Sequence, residues 1–95
     1  MIARIAVWEP MPEDDRDWVM EAVSAVDGFV AAYHLKDPDT GNGLSISLFT
    51  DDLAADTAGA AVAERARAIG WYETPRPAPV SVTHYEVTRT AAPAV

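Results

Sequence analysis

The chain of 95 residues reads as a single α+β domain, a ferredoxin-like βαββαβ unit with a four-stranded antiparallel sheet and two helices. Three observations predict it. Four segments alternate apolar and polar residues with period two, two segments repeat at helical spacing, and their order along the chain is β-α-β-β-α-β.

The first strand is predicted over 1–9, where Ile5 and Val7 alternate with Arg4, Ala6 and Trp8, and Pro10 ends it. Pro12 suits a first helical turn, and Glu13, Asp14 and Asp15 bring negative charge to the positive end of the helix dipole. Trp18, Val19, Ala22, Val23 and Val26 then form one apolar helix face, and Gly28 is placed to stop that helix. A second strand is predicted over 29–37. The turn-rich Asp37-Pro38-Asp39-Thr40-Gly41-Asn42-Gly43 joins it to a third, Leu44–Phe49, as an antiparallel hairpin. Thr50 is the predicted N-cap of a second helix that starts with Asp51 and Asp52 and runs to Ile69, with Gly70 beyond it. The face predicted for its core side, Ala54, Ala58, Ala61, Val62 and Ile69, is mostly small side chains. Prolines at 75, 77 and 79 favour an extended link, and a fourth strand is predicted over 80–89. The domain spans 1–89, and 90–95 is expected to be a flexible tail.

Composition narrows the function classes. Seven Lys and Arg against 15 Asp and Glu give a net charge of −8, which disfavours nucleic acid and anionic membrane surfaces as partners. Cysteine is absent, which removes disulfides, thiolate metal ligands and Cys nucleophiles. No signal peptide is recognisable and no run reaches the length of a membrane span, so a cytoplasmic location is expected.

Alternation sorts the strand residues into two sets. Ile5, Val7, Phe29, Leu35, Ile46 and Leu48 are expected to face the helices; Ala6, Trp8, Val30, Ala32 and Phe49 then fall on the other side. An apolar second face points to a homodimer in which two sheets meet.

The chain resembles the antibiotic biosynthesis monooxygenase-like family. The resemblance lies in Met1-Ile2-Ala3-Arg4-Ile5, in Asp27-Gly28-Phe29-Val30-Ala31-Ala32-Tyr33, in Leu44 to Asp52 and in Thr83-His84-Tyr85-Glu86-Val87. It implies a dimeric α/β barrel and a small-molecule enzyme, with cofactor-independent oxidation of a planar aromatic metabolite as one activity. It also implies departures. Quinone-forming members carry an Asn, a Trp and a Tyr where this chain has Ser45, Phe49 and Ala55. Haem-degrading members use a first-strand Asn, here Ala6, and a helix-2 His that is missing here. A non-catalytic dimeric binding or structural module of the same fold is the alternative.

His34 and His84 are the only histidines and are candidates for general acid and base, or are partly exposed strand residues. Arg4, on an apolar strand, is a candidate to hold a carboxylate or oxyanion, or forms a surface salt bridge. Trp8, Phe49 and Tyr33 form either an aromatic wall for a planar ligand or the dimer core. Ser45 and Ser47 are small polar residues expected to line the pocket, without a nucleophile-elbow motif. Trp71 and Tyr72 are placed to form a lid or to pack on a partner subunit. Glu86, two residues from His84, does not complete a set of three metal ligands, so neither metal nor cofactor is expected.

Overall fold

A computed structural model describes residues 1–10, 17–71, 73 and 79–92. The described elements are β1 (Ile2–Trp8), α1 (Asp17–Ser24), β2 (Phe29–Lys36), β3 (Gly43–Phe49), α2 (Asp52–Ala68) and β4 (Ser81–Glu86). They form one four-stranded sheet in the order β2-β3-β1-β4, with every neighbouring pair antiparallel. This is the predicted ferredoxin-like α+β arrangement. Both helices lie on the same face. The helix start predicted around Pro12 to Asp15, Tyr72, the prolines at 75 and 77, and the end of the tail lie outside the described residues.

The β2–β3 hairpin is held by its own turn chemistry. The Asp37 carboxylate accepts hydrogen bonds from the amides of Asp39 at 2.8 Å and Thr40 at 3.3 Å. The Asp37 amide donates to the Asn42 carbonyl at 2.8 Å, and Gly41 takes the positive φ of 80° that the turn requires. Helix α2 begins one residue later than predicted. Asp51, not Thr50, is the N-cap, with extended backbone and a side chain that accepts from the Ala54 amide at 2.8 Å. Gly28 does not stop α1, which ends at Ser24. It opens β2 instead, at φ 90°, where a Cβ would come within 2.7 Å of Thr50 Oγ1 and 2.9 Å of Ala54 Cβ.

The core between sheet and helices is built from Trp18, Val19 and Val23 of α1, Ala54, Ala55, Ala58, Val62 and Ala66 of α2, and Phe49 and Trp71. Ala61 and Ile69, expected in it, sit at its margin. Ala61 is half-buried and Ile69 is 47% exposed, because the buried stripe of α2 runs through Ala55 and Ala66 instead. Trp71 is not a lid. It is buried and stacks at a tilt on Trp18, ring centroids 5.1 Å apart.

The two sheet faces are the reverse of the sequence expectation. Ala6, Trp8, Phe49 and the half-buried Ala32 lie beneath the helices, whereas Ile5, Val7, Ile46, Leu48 and Leu35 lie on the open face with Leu44. Phe29 alone of the expected helix-facing set keeps its place, edge-on to Phe49 at 6.1 Å. A register irregularity between Phe29 and Ala31 explains the split: Val30 is left without a partner on β3 and the parity of β2 changes after it.

Candidate functional site

With the helices on this face, the polar candidates converge under them. Registered pairing sets them in two rows across the sheet. One row runs Ala32 (β2), Ser47 (β3), Arg4 (β1), His84 (β4); the next runs His34, Ser45, Ala6, Val82. Directly opposed side chains in such rows stand roughly 5 Å apart. Arg4, His34, Ser45, Ser47 and His84 are therefore one constellation, although the strands that supply them are scattered along the chain. Trp8 closes one side. Its indole N–H donates to Ser45 Oγ at 3.1 Å, and His34 Nδ1 lies 3.0 Å from the same oxygen. An indole N–H can only donate, so Ser45 accepts from Trp8 and keeps one lone pair and its proton for the exchange with His34.

Arg4 is the unusual member. It is 7% exposed, its Nε is buried without a hydrogen-bond partner, and among the described residues no carboxylate pairs with it. Burial alone lowers its pKa from the ordinary value. A buried cation with no counter-charge costs several kcal/mol by general estimates, about 3–5 where one partner of a buried pair has been removed. An anionic ligand would offset that cost. The space above Arg4 belongs to Gly59 of α2, whose missing Cβ would stand 3.7 Å from Nε and 3.9 Å from Nη2.

His84, in register with Arg4, turns Nδ1 toward the first turns of α2. It lies 3.5 Å from Asp52 Oδ1 and 3.8 Å from Asp56 Oδ1. With Nδ1 facing the two carboxylates, Nε2 is the ring nitrogen left to meet a ligand. Asp52 and Asp56, four residues apart on one helix, are functional candidates that sequence reading missed. Asp52 reads there simply as a helix-start charge, and the i, i+4 spacing of the pair was the available signal. Gly59 was the other omission, a single glycine inside an alanine-rich helix.

Other predicted residues go elsewhere. Phe49 is fully buried in the core beside Phe29, and Ala55 is fully buried in α2. Tyr33 is 55% exposed on the open face, so it shares no wall with Trp8 and Phe49. An open hollow of about 600 Å³ near Gly28, Thr50 and Leu53, and a shallower one between α1 and α2 beside Ala61 and Arg65, contain none of the constellation. Among the described residues no set of three His, Asp or Glu is arranged to hold a metal, and no helix is long and apolar enough to cross a membrane.

No protein-family model matches the chain, and no curated protein matches it in sequence. Solved structures do match in fold. Rv0793 from Mycobacterium tuberculosis superposes with a TM-score of 0.67 at 19% identity, over 96% of this chain and 98% of that one. A variant of SnoaB, a cofactor-independent oxygenase from Streptomyces nogalater, gives 0.68 at 15% identity over 94% of each chain. A candidate antibiotic biosynthesis monooxygenase from Deinococcus radiodurans gives 0.63 at 14% identity over 97% of each. The likeness is one of fold over nearly the whole chain, the same fold that the sequence motifs implied.

Proposed function

We propose that this chain is a small-molecule enzyme that binds a planar, largely apolar aromatic metabolite as an anion between the sheet and α2 and oxidises it with O2 without a cofactor. The observation that carries the reading is Arg4, a buried guanidinium with no acidic partner among the described residues, in register beside a histidine. The fold shared with a cofactor-independent oxygenase supports the reaction class.

In the proposed reaction a phenolic substrate loses its proton to His84 Nε2, the nitrogen turned away from Asp52 and Asp56. Arg4 stabilises negative charge on the bound substrate. The electron-rich phenolate passes one electron to O2, the two radicals combine as a peroxide anion that takes the proton back from His84, and the hydroperoxide loses water, with the hydrogen of the same ring carbon, to leave the quinone. The balance is one phenol and one O2 to one quinone and one water. His34, held by Ser45 and Trp8, is the second candidate base; its Nε2 can accept a proton only if Nδ1 donates to Ser45 Oγ.

The test is oxygen uptake by the purified protein with a panel of hydroxynaphthalenes and anthrones. We expect one O2 consumed per quinone formed, with a loss of 100-fold or more (about 10²–10⁴ for a general base) in His84→Gln or His34→Gln, whichever is the base. Turnover unchanged in the double variant removes the base assignment.

A second reading, a non-catalytic binding module, is favoured by Ser45, Phe49 and Ala55 at the positions where the quinone-forming relatives carry Asn, Trp and Tyr. Ligand binding with no oxygen uptake across the panel would select it. In both readings we propose that a second copy of this chain covers the open face, where Ile5, Val7, Leu44, Ile46 and Leu48 stand only half-buried.

A further inference from the structure

We propose that Ser45 is a positioning residue. Oriented by Trp8, its hydroxyl holds the neutral His34 ring with its proton on Nε2, which makes His34 a hydrogen-bond donor and leaves the role of base to His84. The division of roles between the two histidines rests on the oxidation reading above. The place of the proton on His34 does not.

The register of the sheet brings the three groups together. Ser45 of β3 stands directly opposite His34 of β2, and diagonally from Trp8 of β1, whose own partner on β3 is Gly43. Opposed and diagonal neighbours on one sheet face reach each other where a side chain is long or aromatic. Ser45 and Trp8 are both buried. Ser45 Oγ lies 3.1 Å from Trp8 Nε1 and 3.0 Å from His34 Nδ1.

Only one direction of hydrogen bonding satisfies all three. A serine hydroxyl has one proton to give and two lone pairs to receive. The indole N–H of Trp8 can only donate, so it takes one lone pair. If His34 Nδ1 donated as well, Ser45 would accept twice and its own proton would need a third group. Among the described residues Trp8 and His34 are the only side chains hydrogen-bonded to that oxygen. A buried hydroxyl proton with no acceptor is costly, and native structures seldom hold one. The bonds therefore run from Trp8 Nε1–H to Ser45 Oγ, and from Ser45 Oγ–H to His34 Nδ1.

With Nδ1 accepting, a neutral imidazole carries its one proton on Nε2. That nitrogen can donate to an oxygen of a bound metabolite but cannot take a proton from it. His84 has no hydroxyl at Nδ1; the groups facing it there are the carboxylates of Asp52 and Asp56. Of the two histidines, His84 is then the base, and no proton passes through His34.

Long-range proton–nitrogen correlation NMR of the isotopically labelled full chain, at about pH 8.5 and so above the ordinary histidine pKa, tests the placement. We expect His34 to show a protonated Nε2 and a bare Nδ1. Ser45→Thr, which keeps the hydroxyl, should retain the wild-type Nδ1 resonance, and Ser45→Ala should move it. A proton on Nδ1 of the wild-type chain overturns the proposal without any variant having to fold. One Nδ1 resonance common to wild type and Ser45→Ala overturns the role of Ser45. In oxygen uptake, His34→Gln should lose about tenfold in kcat, since a glutamine amide keeps a donor there, and His84→Gln about 100-fold or more. The reverse order overturns the division of roles. If the wild-type chain takes up no O2 across the panel, the oxidation reading fails, and the spectrum alone decides where the proton sits.

Discussion

The two faces of this sheet differ in the opposite sense to an ordinary α+β domain. The face under the helices carries Arg4, His34, Ser45, Ser47 and His84 among small residues, with large aromatic rings at its margins in Trp8 and Phe49. The open face carries Ile5, Val7, Leu35, Leu44, Ile46 and Leu48, with Tyr33 and Tyr85 toward its edges. A domain that served only its own stability would put the aliphatic set inside and the polar set in water. Here the domain encloses a polar row and leaves an aliphatic surface open. The covered face holds the candidate site, and the open face is the one we propose a second copy covers.

Neighbouring residues on β3 give the largest expected contrast. Phe49→Ala should cost about 3–5 kcal/mol, because Phe49 is fully buried and its loss leaves a cavity beside Phe29. Leu48→Ala, one residue earlier on the open face, should cost about 1 kcal/mol in dilute protein and more as concentration rises. Urea unfolding of both variants at two protein concentrations checks this; equal, concentration-independent losses would break the comparison.

Next in size is Ile46→Asp at the centre of the open face. If two copies meet there, each brings an unpaired carboxylate into the interface, and association should weaken by about 3 kcal/mol, more than a hundredfold. Sedimentation velocity across a concentration series reads it directly. Assembly identical to wild type would mean that this face meets only water.

Arg4→Met probes the covered face with a smaller effect of opposite sign. Removing a buried, unpaired charge for an apolar side chain of similar length should raise stability by about 1–2 kcal/mol while abolishing anion binding. Thermal unfolding measures the first, and titration with the hydroxynaphthalene panel measures the second. A destabilised variant would show that Arg4 serves the fold.

The smallest effect concerns the hairpin that sets the register of β2 on β3. Amide hydrogen bonds from Asp39 and Thr40 hold the Asp37 carboxyl below its ordinary pKa of 3.8. The folded value is the lower one, so the stabilisation is complete above the unfolded pKa and disappears as pH falls through the folded value. Asp37→Asn should flatten only this acid limb of a Tm-against-pH curve. An unchanged limb would assign it to other carboxylates.

Element order, the hairpin turn and the residue types of the site were all legible in the sequence. Pro10, the Asp37–Gly43 turn and Gly70 punctuate the chain, and the periodicity between them switches cleanly from two to helical and back. The candidates Arg4, Trp8, His34, Ser45, Ser47 and His84 share a face, as their even or odd positions on each strand allowed. The Val30 irregularity and the burial of Trp71 left no comparable mark, because a one-residue slip and a tilted ring contact depend on neighbours far along the chain.

By itself the sequence determined which residues alternate together, and therefore which two sets exist. Only the tertiary structure decided which set the helices cover. A period of two is symmetric with respect to the two faces, and both sets here contain large apolar side chains, so no local rule chooses between them. Packing chose. The thin alanine and glycine face of α2 lies over the row that holds Arg4, and the branched aliphatic set is left on the open face.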